Sequence, residues 1–159
     1  MPSTSEHDND TADHQPALRL VLPAGWGAPS VARTRLRDWL EAHRWPDDDV
    51  DDLVLAVSEA VTNSVEHGCG MATADVAPRS GLVELTACLK CSARGARHVE
   101  LAVRDFGEWR APVRGPTVRG YGLVLIRAVA MAVEVHRLPD GTLVRIVSRP
   151  VSARPGPRT

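Results

Sequence analysis

The sequence predicts an α+β fold of two layers, a mixed but mostly antiparallel sheet covered on one face by three helices. Three observations predict it. Short segments of alternating apolar and polar residues recur along the chain, at the period of half-buried strands. Longer segments between them carry apolar residues at helical spacing. Neighbouring strand-like segments are joined by short turns, the clearest being Asp140-Gly141, a two-residue signal that makes its flanking strands antiparallel. Three amphipathic helices must bury their stripes, and one face of such a sheet can take them.

Residues 1–16 lack apolar periodicity and read as a disordered tail. Residues 17–22 alternate and read as a short strand. A Gly/Pro turn over 23–29 follows, and Ser30 is placed to cap a helix running to about residue 45, with Val31, Leu36, Trp39 and Leu40 as its apolar positions. Pro46 ends that helix and can start the next, over about 48–67. Leu53, Val57, Ala60, Val61 and Val65 form the stripe of this second helix, and Gly68 and Gly70 stop it. The acidic run 47–52 suits the positive end of the helix dipole. Residues 71–80 read as a loop. Strands are expected over 82–91 and 98–104, joined near Gly95. A Gly/Pro/Arg-rich loop over 106–119 leads to a third helix over about 121–131, and strands over 133–138 and 142–147 close the domain. The expected organisation is a globular domain over 17–149 with a Pro/Arg-rich tail over 150–159.

Composition excludes several classes. A chain of 159 residues fits one domain with tails, and 43% hydrophobic residues suffice for a core at that length. A formal net charge of -1 gives no global field toward DNA or lipid. No stretch approaches the roughly 18–20 apolar residues of a membrane span. The polar, acidic start does not read as a secretion signal, so a cytoplasmic protein is expected. The odd count of three cysteines, Cys69, Cys88 and Cys91, argues against a disulfide framework.

Four places can carry chemistry. Glu59 and Asn63 stand four apart on one helix and share a face beside the apolar stripe, with His67 one step further. A carboxylate there can accept a proton from a hydroxyl or water, and an amide oxygen is a hard ligand suited to magnesium. Polar residues also line any exposed helix ridge, so spacing alone leaves the structural explanation open. Asp105, in Asp105-Phe106-Gly107, projects from a sheet edge at the end of a strand. A buried carboxylate at that point needs a donor, and the exocyclic amine of adenine is one. Gly107 lets backbone approach a flat ring, although Asp and Gly are also ordinary strand-end turn residues. Gly120-Tyr121-Gly122-Leu123 opens a helix, where free amides bind anions, with Arg110, Arg114 and Arg119 preceding it. A lone Gly-x-Gly is equally a flexible helix cap. Gly141-Thr142 closes the hairpin, and its hydroxyl can reach a base through water.

The order of these signals is more specific than any one of them. Glu-Ala-Val-Thr-Asn-Ser-Val-Glu-His-Gly (59–68), Asp-Phe-Gly-Glu-Trp (105–109), Gly-Tyr-Gly-Leu-Val-Leu-Ile (120–126) and Gly-Thr (141–142) resemble the GHKL ATPase superfamily, and within it the anti-sigma-factor serine/threonine kinases. The resemblance covers about residues 17–147. It implies a two-layer sandwich of the GHKL (Bergerat) type that binds ATP and Mg2+. It implies Glu59 as general base, Asn63 as the magnesium ligand, and His67 and Gly68 near the nucleotide. Asp105 would read the adenine amine, with Gly107 beneath the ring and Thr142 near the base. Arg119, Gly120, Gly122 and Leu123 would belong to the root of the lid over the phosphates. The chain departs from the pattern at Trp109, which stands where the Asp-x-Gly-x-Gly box has its second glycine.

The implied activity is phosphorylation of a serine or threonine of a protein antagonist, together with sequestration of a sigma factor. The alternative is a catalytically weak or inactive module that acts by sequestration alone. Proteins of this kind often pair, so a homodimer is an expectation that no residue here carries by itself. A metal or redox site through Cys88 and Cys91 is disfavoured, because residues three apart on a strand face opposite ways. Arg145, Arg149, Arg154 and Arg158 follow from strand alternation and a polar tail, and neither a membrane nor a direct nucleic-acid partner is expected.

Overall fold

The computed structural model describes residues 17–68, 81–107 and 121–152. In chain order the elements are β1 (Ala17–Pro23), α1 (Ala28–Ala42), α2 (Asp47–Asn63), β2 (Leu82–Cys91), β3 (Arg97–Asp105), α3 (Tyr121–Val129), β4 (Ala132–Leu138) and β5 (Gly141–Val147). The strands form a five-stranded sheet in the order β1-β2-β3-β5-β4, and every pairing is antiparallel. The three helices pack on one face, giving the expected two-layer α+β fold.

Strand alternation decides which side chains meet the helices. Val83, Leu85, Ala87 and Leu89 on β2, Val99, Leu101 and Val103 on β3, and Val144 and Ile146 on β5 are buried. The intervening Glu84, Thr86, Lys90, Glu100, Arg104 and Arg145 point to the open face. α2 brings Val50, Leu53, Val54, Ala56, Val57, Ala60 and Val61 into the core, α1 brings Ala32, Leu36 and Leu40, and α3 brings Ile126. Each large aliphatic side chain buried in this way contributes roughly 1.5–3 kcal/mol. α2, with seven buried positions, is therefore the central helix.

Several boundaries differ from the sequence expectation for physical reasons. α1 begins at Ala28, with Gly27 at its N-cap, rather than after Ser30. Pro29 is held in the first turn, where its missing N–H has no partner to lose. The helix stops at Ala42, not near residue 45, because Arg44 turns left-handed at φ 53°. Trp45 then folds back, its N–H reaching the Leu40 carbonyl at 3.0 Å. Arg97 stacks 5.1 Å over the Trp45 ring and donates to the carbonyls of His43 and Arg44. α2 starts at Asp47 and its regular part ends at Asn63, passing into one π-helical turn over Ser64–Gly68. Beyond β5, Val151 and Arg97 exchange backbone hydrogen bonds of 2.8 Å, so pairing continues past residue 149.

Candidate functional site

The site is built from two ends that meet at the carboxyl end of α2. The first end follows from strand parity. Val99, Leu101 and Val103 alternate into the helix layer, and Asp105 is the next residue in that series. A carboxylate therefore takes a core-facing position, 4% exposed. β3 lies between β2 and β5, so Asp105 stands at the end of a central strand and not at a sheet edge as the sequence suggested.

A buried carboxylate has to find donors. The Thr142 N–H donates to Asp105 Oδ1 at 3.1 Å and the Gly107 N–H donates to the same oxygen at 3.3 Å. The Ser64 hydroxyl donates to the carboxylate from the helix side. Burial nevertheless pushes the Asp105 carboxyl above its ordinary range. The two amides, the Ser64 hydroxyl and the neighbouring Arg104 charge pull it back only in part.

The turn before β5 fits tightly against this end. Asp105 pairs with Thr142, and Gly141 adopts φ 145°. A Cβ at Gly141 would overlap the Asp105 carbonyl and come within 2.9 Å of Phe106 Cα. Only glycine combines that backbone angle with that closeness.

The second end is helical. Glu59 and Asn63 are half-buried on α2, and both side chains turn toward the start of α3. A Cβ at Gly122 would lie 3.0 Å from Glu59 Oε2 and 3.2 Å from Asn63 Nδ2. The acid and the amide, four residues apart, and this glycine some sixty residues further along the chain thus share one small space. The backbone of His67 and Gly68 belongs to the π turn that follows α2. Leu123 packs against the hydrophobic core. Arg119 and Gly120 lie outside the described residues, as do Trp109, Cys69 and the loop arginines 110 and 114.

Ser64 is the residue that sequence reasoning missed. It continues the buried line of Val57, Ala60 and Val61 and is itself 4% exposed. A hydroxyl at a core position of an amphipathic helix is the signal that could have found it, since burial obliges it to find a partner. Ser64 directly follows Asn63, so adjacent residues serve the two ends.

The family model for the histidine kinase-like ATPase domain matches residues 24–148. The chain belongs to the histidine kinase-like ATPase domain family. Among solved structures, this ATPase domain is similar to the RsbU and RsbW domains of Rv1364c from Mycobacterium tuberculosis. The identity is 28% over 87% of this chain and 34% of that chain, with a TM-score of 0.61. The ATPase domain thus spans about a third of that structure's chain. The histidine kinase domain of the blue-light activated histidine kinase from Erythrobacter litoralis EL346 is 19% identical over 80% of this chain and 61% of that one, at a TM-score of 0.43. The SiaB-SiaC complex from Pseudomonas aeruginosa matches at 12% identity over 84% of this chain and 89% of that one, at a TM-score of 0.41.

The family implies ATP, and the polar groups of the ATPase domain fit it. Asp105 offers a buried acceptor to an amine, Asn63 offers an amide oxygen of the kind magnesium takes, and Gly122 keeps the space beside Glu59 and Asn63 free of a side chain. Elsewhere, a hollow of about 320 Å³ opens on the other face of the sheet over Thr86, Cys88, Ala102 and Arg145, sharing no residue with this site. Cys88 is half-buried there and Cys91 is exposed. Among the described residues no group of three His, Cys, Asp or Glu side chains is placed to hold a metal ion. No described helix is long and apolar enough to cross a membrane.

Proposed function

We propose that this ATPase domain binds ATP with Mg2+, phosphorylates a serine or threonine of a protein antagonist, and sequesters a sigma factor. The observation that carries the reading is the convergence of Glu59 and Asn63 on Gly122, next to a buried Asp105 that accepts only donors. The family supports ATP as the nucleotide. The order of the sequence boxes and the 28% identity to a structure holding an RsbW domain support the regulator class.

In this reading Asp105 accepts a hydrogen bond from the exocyclic amine of adenine, Gly107 lies beneath the ring, and Thr142 stands beside the base. Asn63 holds the magnesium ion, which when bound supplies positive charge to the phosphates. His67, Gly68, Arg119, Gly120, Gly122 and Leu123 line the nucleotide on the phosphate side. Glu59 takes the proton of the acceptor hydroxyl as its oxygen bonds to the γ-phosphorus and the bond to the β-bridging oxygen breaks, releasing ADP. Positioning and charge neutralisation do most of the catalytic work in such transfers. A second reading, sequestration by a catalytically weak or inactive domain, is favoured by Trp109 at the second glycine of the box.

Calorimetric titration with ATP and magnesium separates the outcomes. Binding in the micromolar to submillimolar range that is lost in both Asn63→Ala and Asp105→Ala supports the nucleotide site. Glu59→Gln is then expected to keep ATP binding and abolish transfer, and transfer at the normal rate in that variant removes Glu59 from the chemistry. No binding by the wild type leaves sequestration as the function.

A further inference from the structure

Behind the Asp105 end, on the open face of the sheet, one ion pair joins β3 to the β4–β5 turn. Arg104 Nη2 sits between both carboxylate oxygens of Asp140, 2.8 Å from each. The guanidinium also stacks on the Phe106 ring at 4.8 Å. The residues involved bracket the site. Arg104 immediately precedes Asp105 and Phe106 follows it, while Asp140 immediately precedes Gly141 and Thr142.

We infer that the Arg104–Asp140 pair is a positioning device for Asp105, holding the hairpin tip so that the Thr142 N–H reaches the carboxylate and leaves its second oxygen directed at the amine of the base. This rests on the nucleotide reading of the site. Three observations lead to it. The tip can approach only because Gly141 has no Cβ to strike the Asp105 carbonyl, so the tip has no side-chain interlock of its own at that point. Asp105 and Thr142 are the terminal pair of the β3–β5 ladder, where pairing frays first. The ion pair straddles that terminal pair: Arg104 lies one residue inside it, opposite Leu143, and Asp140 lies two residues outside it in the turn, so the pair ties the end of the ladder from the opposite face of the sheet. Arg104 is 27% and Asp140 66% exposed in the side chain, and ion pairs of that exposure add little to global stability. A role in local geometry is therefore separable from a role in folding.

The pair predicts a loss of base selectivity without a loss of fold. The measurement is the ratio of affinities for ATP and inosine triphosphate, which carries a carbonyl where adenine has its amine. It is taken by calorimetry on the wild type, Arg104→Gln, Asp140→Asn and the double variant, each with its thermal midpoint. Asp140→Asn keeps the Arg104 charge beside Asp105, so it separates the tie from the charge. The wild type is expected to prefer ATP. Each single variant should lose about fivefold or more of that preference, as expected for a weakened charge-assisted contact, with inosine triphosphate affinity unchanged. The double variant should lose no more than Arg104→Gln, because the tie is already removed in that variant and its charge with it. An unchanged ratio in the single variants, additive losses in the double variant, or an equal loss for both nucleotides overturns the positioning role. A wild type with no preference for ATP instead overturns the assignment of Asp105 to the base, and the inference falls with it.

Discussion

The two ends of the site are held by different means. Asp105 is 4% exposed and tied by two backbone amides, one buried hydroxyl and a glycine turn that admits no Cβ. Glu59 and Asn63 are half-buried, and what brings them together with α3 is the bare backbone of Gly122. The first end is preorganised by the sheet. The second is a helix ridge facing a glycine, with room for the side chains to adjust. Preorganised acceptors suit recognition of a rigid ring, whose hydrogen bond has one direction. In the proposed reading, side chains that can adjust suit phosphates, where positioning and charge neutralisation do the work.

If this contrast is right, a methyl group at Gly141 should do the greatest harm. Gly141→Ala meets backbone, which cannot swing aside, at a φ that L-residues rarely adopt. A destabilisation of roughly 3 kcal/mol or more is expected, read as a shift in the urea midpoint. An unchanged midpoint would break the idea of a rigid Asp105 end.

The same substitution at Gly122 is expected to act on binding and not on folding. Its Cβ would meet the tips of the Glu59 and Asn63 side chains, which can move aside but then leave their shared space. Affinity for magnesium-ATP should fall about tenfold while the urea midpoint stays within error. Loss of stability matching that of Gly141→Ala would erase the distinction between the ends.

Ser64→Ala probes the link between them. Removing a hydroxyl that donates to a buried carboxylate should cost about 1 kcal/mol of stability and raise the Asp105 carboxyl further. Stability in denaturant and the acid side of the ATP-binding profile both report it. Stability and an acid limb identical to wild type would remove Ser64 from the site.

The smallest expected effect is on pH dependence. Burial holds the folded Asp105 carboxyl above its ordinary value of 3.8, so in that window the folded state binds this proton more tightly than the unfolded chain. Its ionisation therefore lowers stability as pH rises from about the ordinary value through the raised one. Asp105→Asn removes this dependence. The stability of wild type relative to the variant should decline over that interval and level off above it. A rise over the same interval would mean that the hydrogen bonds outweigh burial.

Much of the helical end was legible in the sequence. Glu59 and Asn63 share a face because 3.6 residues make a turn, and that holds before any tertiary contact forms. The stripe of α2 was read correctly at Leu53, Val57, Ala60 and Val61, all buried. Where helices end was less legible. Ser30 resembles a cap, yet the first turn begins at Ala28 because Pro29 is accommodated there. The π turn at Ser64–Gly68 leaves no residue-type signature. Asp105 was singled out as a candidate, but its donors within the fold were not, since Ser64 and the Thr142 amide come from forty residues upstream and downstream, to within a few positions.

By itself the sequence determined the period of each element, a tight turn near Asp140-Gly141, where the structure puts the two turn residues one position earlier, at Pro139-Asp140, with Gly141 already paired to Leu138, and the order of chemical boxes that marks an ATPase domain. Those are local properties, set by side-chain branching, glycine freedom and polarity along a few residues. Tertiary structure alone decided that β5 pairs beside β3, which lays the Thr142 amide on the Asp105 carboxylate. It also decided that α3 packs so that Gly122 faces Glu59 and Asn63. Both depend on how buried surfaces from distant segments fit together, and such a fit is a property of the whole core and not of any one stretch of chain.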